Sequence, residues 1–420
     1  MKKRTFWLTK LSIMVFALAC ALVFVSGTSV MAADAKEIKI GNILPLSGPS
    51  ASVGIQNQWA IELATEKINK AGGIKALGGA KLVNVFTDSK GDPNVGATAA
   101  EQLINTDKVV LISGAWNSAV TKPSTQVAER YGIPYVVPVS VNDAITERGF
   151  KYTFRIAAKD SWWARDQFRF LDDMKKATKT ELSTIAFVYE NGDWGSGMKE
   201  QWTKLAAQFG YKIVLDEPYP STTSDLTPVV MKIKAAKPDV LLLTSNAADA
   251  ILLTNTMATY KVKAKAIIGT GGGHADPSFR KTTDKNCENM FDVVEWETDL
   301  DRPQIPALNK EFKDLHKIDL AGESVDAFSS VYVIADALER AKSTDPKKLR
   351  DALAATNLCV GKGKLGIDIL SYDCVTFDQT GQNKNAGIVL VQFREVNGVM
   401  ERVTVWPVAR KGVKPVFPMP

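Results

Sequence analysis

The first residues able to do chemistry in this chain are Trp116-Asn117-Ser118. They lie between a continuous apolar run, Val109–Ile112, and a segment with helical spacing at Val120, Val127 and Ala128. The run has the length of a strand buried on both faces. Gly132 and Pro134 stop the helix, and Tyr135–Val139 resumes an apolar strand. This is a β–loop–α–β unit, and open parallel sheets bind ligands in the crevice at such strand ends. Free amides at the helix start, with the Ser118 hydroxyl, suit an anion such as a carboxylate. Asn117 or Ser118 serving only as the helix cap is the plainer reading. The two are compatible, and these residues alone leave both open.

Other reactive groups are sparse. The chain has two histidines, His274 and His316, no P-loop, no Gly-x-Ser-x-Gly elbow and no metal-like spacing of Cys, His and acids, so no cofactor or metal is expected. Gly269–Gly273 follows a strand, but its spacing is wrong for a dinucleotide fingerprint; it reads as a flexible loop facing a cleft. His274 beside it lacks a nucleophile or an orienting acid, so a hydrolase-type enzyme is a minor alternative. Trp116, Trp162, Trp163 and Trp194 fall in or near strand-end loops. Any of them could fill an interface between lobes; Trp194, in the polar loop Glu190–Gly195, is read as facing a ligand.

The ends set the compartment. Lys2, Lys3, Arg4 and Lys10 surround the start of an apolar run, Leu11–Val25, and small residues follow to Ala32 and Ala33. That is a secretory signal peptide over residues 1–33, too short in its apolar part for a membrane span. Cys20 falls within it. The chain's net charge of +6 drops to about +2 without those four cations, which points away from nucleic acid or an acidic polymer as partner. Cys287, Cys359 and Cys374 remain for an oxidising compartment. Glycines 361, 363 and 366 loosen the loop between the last two, so a Cys359–Cys374 disulfide is expected.

A chain of 420 residues predicts more than one domain. Strands over Ile38–Leu44, Lys81–Thr87, Val109–Ile112, Tyr135–Val139 and Lys151–Ile156 alternate with helices, one of them opened by Asp92-Pro93 as cap and first residue. A second series alternates from Trp162 to Gly269. The fold class is therefore α/β, with two doubly wound sheets. Phe291–Trp296 adds a strand, and helices follow near Ile305–His316, Val325–Lys342 and Pro346–Thr356. Those helices must cover the first sheet, so the chain crosses between lobes more than once. Asn397-Gly398 between two apolar runs is a hairpin turn.

Pro45-Leu46-Ser47-Gly48, Ile68-Asn69, Ala71-Gly72-Gly73-Ile74, Asp88, and Gly91-Asp92-Pro93 resemble the periplasmic leucine/isoleucine/valine-binding proteins. Ser118–Thr121, Pro123, Gly132-Ile133-Pro134, Pro138, Thr146 and Phe154-Arg155 continue the resemblance, which thins after Trp296. It implies a periplasmic binding protein of type I: two lobes joined by three crossing strands, a ligand between them, and delivery to the permease subunits of an ABC transporter. The implied division is 34–157 plus 296–384 for one lobe and 158–295 plus 385–420 for the other.

By position, the resemblance puts Ser118, with Asn117, on a ligand carboxylate, and Val139, Ser140 and Val141 on the next strand end. Trp194 falls at an aromatic position of the second lobe. Val141 stands where the family has Thr, Val53 and Asn246 stand at its aromatic positions, and Gly271 stands where its amino-acid-binding members carry an acid for the ligand ammonium. A buried ammonium without a counter-charge is costly. The expected ligand is thus a small carboxylate-bearing solute, a branched-chain amino acid or a related organic acid or amide, with no strict need for an amino group. Asp276 and Asp326 are the candidate replacement acids. The expected protein is periplasmic, monomeric and non-enzymatic; the alternative is a ligand-sensing receptor of the same fold.

Overall fold

The computed structural model describes residues 37–300, 304–361, 371–407 and 413–420. The expected signal peptide lies outside the described residues.

The first sheet grows by repeated β-α-β units. β1 (Glu37–Leu44), α1 (Ala51–Lys70) and β2 (Lys81–Asp88) form the opening one, with β1 and β2 parallel and Glu37 opposite Lys81. α1 begins three residues before Gly54, where a Cβ would stand 2.0 Å from the Pro45 carbonyl oxygen. Only glycine lets the helix lie that close to its approach loop. α2 (Pro93–Asn105) is capped as the sequence indicates: the Asp92 carboxylate accepts from the amides of Asn94 and Val95. β3 (Leu111–Gly114) starts two residues later than the apolar run, and every residue in it is buried. α3 (Ser118–Tyr131) ends as Gly132 turns left-handed at φ 66°. β4 (Tyr135–Val137), the short α4 (Ala144–Glu147) and β5 (Thr153–Arg155) complete a parallel sheet ordered β2-β1-β3-β4-β5.

The second sheet repeats the logic. α5 (Asp160–Thr178), β6 (Thr184–Glu190), α6 (Asp193–Gln208), β7 (Lys212–Tyr219) and α7 (Thr227–Ala236) lead to β8 (Val240–Thr244). α8 (Ala247–Thr259), β9 (Ala266–Ile268), α9 (Pro277–Thr283) and β10 (Phe291–Val294) follow. Then α10 (Ile305–His316), α11 (Gly322–Ala341) and α12 (Pro346–Ala354) return to the first sheet, with α11 packed along α1. Lys67 pairs with Glu311 at 2.6 Å, and Glu339 accepts the amides of Lys75 and Ala76. A two-stranded ribbon, β11 (Asn357–Cys359) with β12 (Cys374–Thr376), precedes β13 (Val389–Val396) and β14 (Val399–Trp406).

The second sheet runs β14-β13-β10-β9-β8-β6-β7. It is mixed rather than wholly parallel, because β13 joins β10 antiparallel and the hairpin adds β14. Asn397 (φ 53°) and Gly398 (φ 82°) both sit left-handed, as the tightest right-twisted hairpin turns require. The fold is two α/β lobes joined by three crossings, near Arg155–Asp160, Glu295–Glu297 and Phe377–Ile388. The first and third crossings are zipped together. Arg155 donates its amide to Gly381, and Asn383 donates its own back to Arg155.

Cys359 is bonded to Cys374 across the ribbon, and most of the intervening loop, residues 362–370, lies outside the described residues. Cys287 is buried, and desolvation pushes its thiol up to about 11. Closing a loop of this size stabilises by about 3 kcal/mol through the unfolded chain. Replacing both Cys359 and Cys374 by Ser is therefore expected to lower the denaturant midpoint by that equivalent. Alkylation before and after unfolding checks the assignment: Cys287 is expected to label only on unfolding, and Cys359 only after reduction.

Candidate functional site

A cavity of about 280 Å³ opens where the C-terminal ends of both sheets face each other. From the first lobe, the start of α3 supplies Trp116, Asn117, Ser118 and Ala119, and the chain after β4 supplies Val139, Ser140 and Val141. Ser118 is 3 % exposed, and its Oγ accepts the Asn142 amide at 3.3 Å, which leaves its proton for a partner in the cavity. Neither Asn117 nor Ser118 caps α3 with its side chain. The plainer reading of this pair is thus set aside, and the first-turn amides keep their capacity for an anion. Ser140 lines the wall, but its hydroxyl is engaged by Thr121 and the Trp116 carbonyl. Its work is to hold the Trp116 turn in place.

From the second lobe come Trp163 on α5, Glu190 to Trp194 after β6, Asn246 before α8, and Thr270 and Gly272 after β9. Trp194 sits in the first turn of α6 rather than in a loop, because the Glu190 carboxylate accepts the amides of Gly192 and Gly195, both at 2.7 Å, and folds the turn early. The glycine run after β9 is not a flexible loop. The amides of Gly271, Gly272 and Gly273 go to Asp292, Glu323 and the Ser245 carbonyl. A Cβ on Gly271 would lie 2.8 Å from the Trp163 ring, and one on Gly272 would lie 2.4 Å from the Trp194 ring. The glycines let two indoles rest on bare backbone.

Two expected site residues stand outside the lining. Val53 is 6 % exposed and packs with Trp116 and Val139 behind the wall. Gly271 faces Trp163 and is covered by it. The argument from a missing acid also fails, because the cavity is lined by Glu190, Glu295 and Glu323. Neither candidate replacement reaches it: Asp276 caps α9 and accepts from Ser52 and Gln56, and Asp326 is fully buried on α11. Reading α11 from Val325 hid Glu323, which its real start at Gly322 places in the first turn. The signal was an acid three residues before Asp326 at the head of an otherwise apolar segment. His274 is no base candidate here. It is fully buried, both ring nitrogens lack a partner, and burial lowers it to about 3.

Contacts bridge the lobes around the cavity. Lys122 pairs with Asp193 at 3.0 Å, Asn142 donates to the Asp193 carbonyl at 3.0 Å, and Ser52 donates to Asp276 at 2.8 Å. A family model described as Periplasmic binding protein matches residues 37–373. The chain belongs to that family. It is a family of non-enzymatic, extracytoplasmic solute-binding proteins. No helix among the described residues is long and apolar enough to cross a membrane.

Among its relatives, Leu/Ile/Val-binding protein homolog 7 of Brucella melitensis is 30% identical over 390 residues, covering 88% of this chain and 92% of the relative. The binding protein's fold matches that of the leucine-binding protein LivK from Thermotoga maritima, with a TM-score of 0.75 at 19% identity, over 89% of this chain and 99% of that one. It also matches a Rhodopseudomonas palustris solute-binding protein in complex with 3,4-dihydroxybenzoic acid, with a TM-score of 0.75 at 19% identity over 88% and 96% of the two chains.

Glu323 carries the clearest electrostatic signature of the site. Burial raises it to about 7 from 4.5, against hydrogen bonds from the Trp116 indole at 2.6 Å and the Gly272 amide. The charged groups facing it are Glu295, Asp326, Asp276 and Asp292, all acids. A carboxyl raised on folding binds its proton more tightly in the native state, so its stabilising share is complete below the unfolded value and is lost as pH rises through the folded one. Asp292 and Asp249, both raised by burial to about 6, act in the same direction. His274 opposes them below its ordinary value. The ligand-free protein is thus expected to melt at a higher temperature at pH 5.5 than at pH 7.5, measured by calorimetry at constant ionic strength. A melting temperature that rises from pH 5.5 to pH 7.5 would mean these carboxyls are ionised and solvated.

Proposed function

We propose that this protein is the periplasmic receptor of an ABC importer, closing its two lobes on one small carboxylate-bearing solute and presenting the closed form to the permease subunits. The observation that carries the reading is the cavity shared by both lobes, of amino-acid size, with the α3 start on one wall and bridging contacts beside it. In this reading residues 1–33 are a cleaved signal peptide. The lobes are 34–157 plus 296–384 and 158–295 plus 385–420, and the protein works as a monomer. The Ser118 hydroxyl and the first amides of α3 hold the carboxylate, the Val139 and Val141 strand end flanks it, and Trp194 and Asn246 approach from the other lobe.

Closure follows from differential contact. A solute touching both lobes binds the closed state better than the open one and shifts the population toward it. Among similar structures, a Streptococcus pneumoniae protein is in complex with isoleucine and the Rhodopseudomonas palustris protein with 3,4-dihydroxybenzoic acid. Both solutes carry a carboxylate, which supports that part of the reading.

Small-angle scattering with solute released from gently purified protein, and identified by mass spectrometry, is the test. A smaller radius of gyration at saturation is expected, and an unchanged one rejects the clamp. Ser118→Ala is expected to weaken binding by about ten- to a hundredfold, the worth of one hydrogen bond to a charged group. Its melting temperature should fall only slightly, since Ser118 caps nothing and the bond lost in the empty protein is the long one from the Asn142 amide at 3.3 Å.

A further inference from the structure

The first crossing ends on a carboxyl that no donor reaches. Asp160 opens α5 and is 1 % exposed, and neither of its carboxyl oxygens has a hydrogen-bond partner. An acid in the first turn of a helix ordinarily takes one of the free amides there. Here the amides of Trp162 and Trp163 both go to the Lys159 carbonyl, and that of Ser161 goes to Asp143 at 3.1 Å. The Asp160 amide itself donates to the carbonyl of Val141, a residue of the cavity wall.

Two sides of the structure meet on that carboxyl. On α6, Gly197 presents bare backbone: a Cβ there would lie 2.3 Å from Asp160 Oδ2 and 2.6 Å from Asn142 Nδ2. Asn142 follows β4 of the first sheet and reaches the second lobe by donating to the Asp193 carbonyl at 3.0 Å. The Asp160 carboxyl is thus covered by α6 and by a bridging side chain of the other lobe.

The charged groups around it favour the neutral acid. Burial raises Asp160 well above the ordinary carboxylate range, and Asp143 before α4, Glu190 at the end of β6 and Glu200 on α6 add to the rise. Arg155 opposes them, but its guanidinium is spent on Gln382, Thr146 and the carbonyls of Ser140 and Asn142. Lys159, next in sequence, pairs with Glu147, and Lys122 on α3 pairs with Asp193. A carboxylate with no donor in a dry site costs more than the carboxylic acid.

We infer that Asp160 is a proton site linked to lobe closure: it gains a proton as the lobes close over it and loses one to water as they part. This goes beyond the solute cavity and rests only on the two-lobe closure of the receptor reading. A form that binds a proton more tightly gains on its competitor as pH falls, by at most about tenfold per pH unit for one site. The closed-to-open ratio is therefore expected to rise as pH drops toward the ordinary carboxylate range, and solute affinity rises with it.

Small-angle scattering of protein freed of solute, at pH 8.0 and pH 5.0 and constant ionic strength, reads that ratio with no ligand present. The wild-type radius of gyration is expected to be smaller at pH 5.0. Asp160→Asn holds the neutral state at every pH, so it is expected to keep the smaller radius at both. It should also melt higher than wild type at pH 8.0. Asp160→Ala is uncharged too and should likewise show no change of radius with pH, so a folding fault confined to the amide does not decide the result.

A wild-type radius that is the same at both pH values overturns the inference. So does a change as large in both variants as in wild type, which would give the effect to other buried acids such as Glu190 or Glu323. A radius that shrinks with solute but not with acid removes the proton site and leaves the receptor reading intact. A radius that shrinks with acid in wild type alone, and never with solute, does the reverse.

Discussion

The structure depends on one buried charge. Arg155 has no exposed surface, yet its guanidinium reaches three parts of the chain. It donates to Gln382 on the third crossing at 2.6 Å, to the carbonyls of Ser140 and Asn142 at 3.3 and 2.6 Å, and to Thr146 at 3.0 Å. Burial lowers it to about 10, with Asp143 and Asp160 working against that shift, so it stays charged at neutral pH. A buried charge is tolerable only when its donors are fully used, and removing one partner typically costs 3–5 kcal/mol. Arg155 therefore couples the crossings to the Ser140–Asn142 turn, which in turn supports the Trp116 loop and receives Ser118. The crossings are thus joined by hydrogen bonds to one wall of the cavity.

The opposite wall is built on the absence of side chains. Gly271, Gly272 and Gly273 are the places where indoles and the Asn246 backbone come too close for any Cβ. Each glycine amide is also spent on a named acceptor, so the run is held from both sides. Large rigid rings are thereby aimed at the cavity with little freedom left, and a site so prepared loses less entropy when it fills.

Much of this was legible in the sequence, and the exceptions have physical causes. Capping and turn chemistry is local, so Asp92-Pro93, Gly132 and Asn397-Gly398 placed their elements within a residue or two. The β–loop–α unit around Ser118 was readable for the same reason. The roles of Ser140 and Gly271 were not, because Thr121 and Trp163 lie 19 and 108 positions away in sequence and nothing local announces either contact. Glu323 was missed by two residues of helix boundary, the least certain quantity in any reading of periodicity. The acids that line the cavity come from elements other than the loop after β9.

That displacement bears on how the site works. An acid on a loop can swing into water when the lobes part, and its desolvation is then paired with closure. Glu323 instead lies on α11, a helix whose first turns are buried, and Glu295 lies on a crossing strand. Both are desolvated in the bridged state by groups that belong to the protein itself, together with Asp326 and Tyr372. Acids crowded this way hold their protons more tightly than free carboxyls do, so the wall they form is most stable while they are neutral.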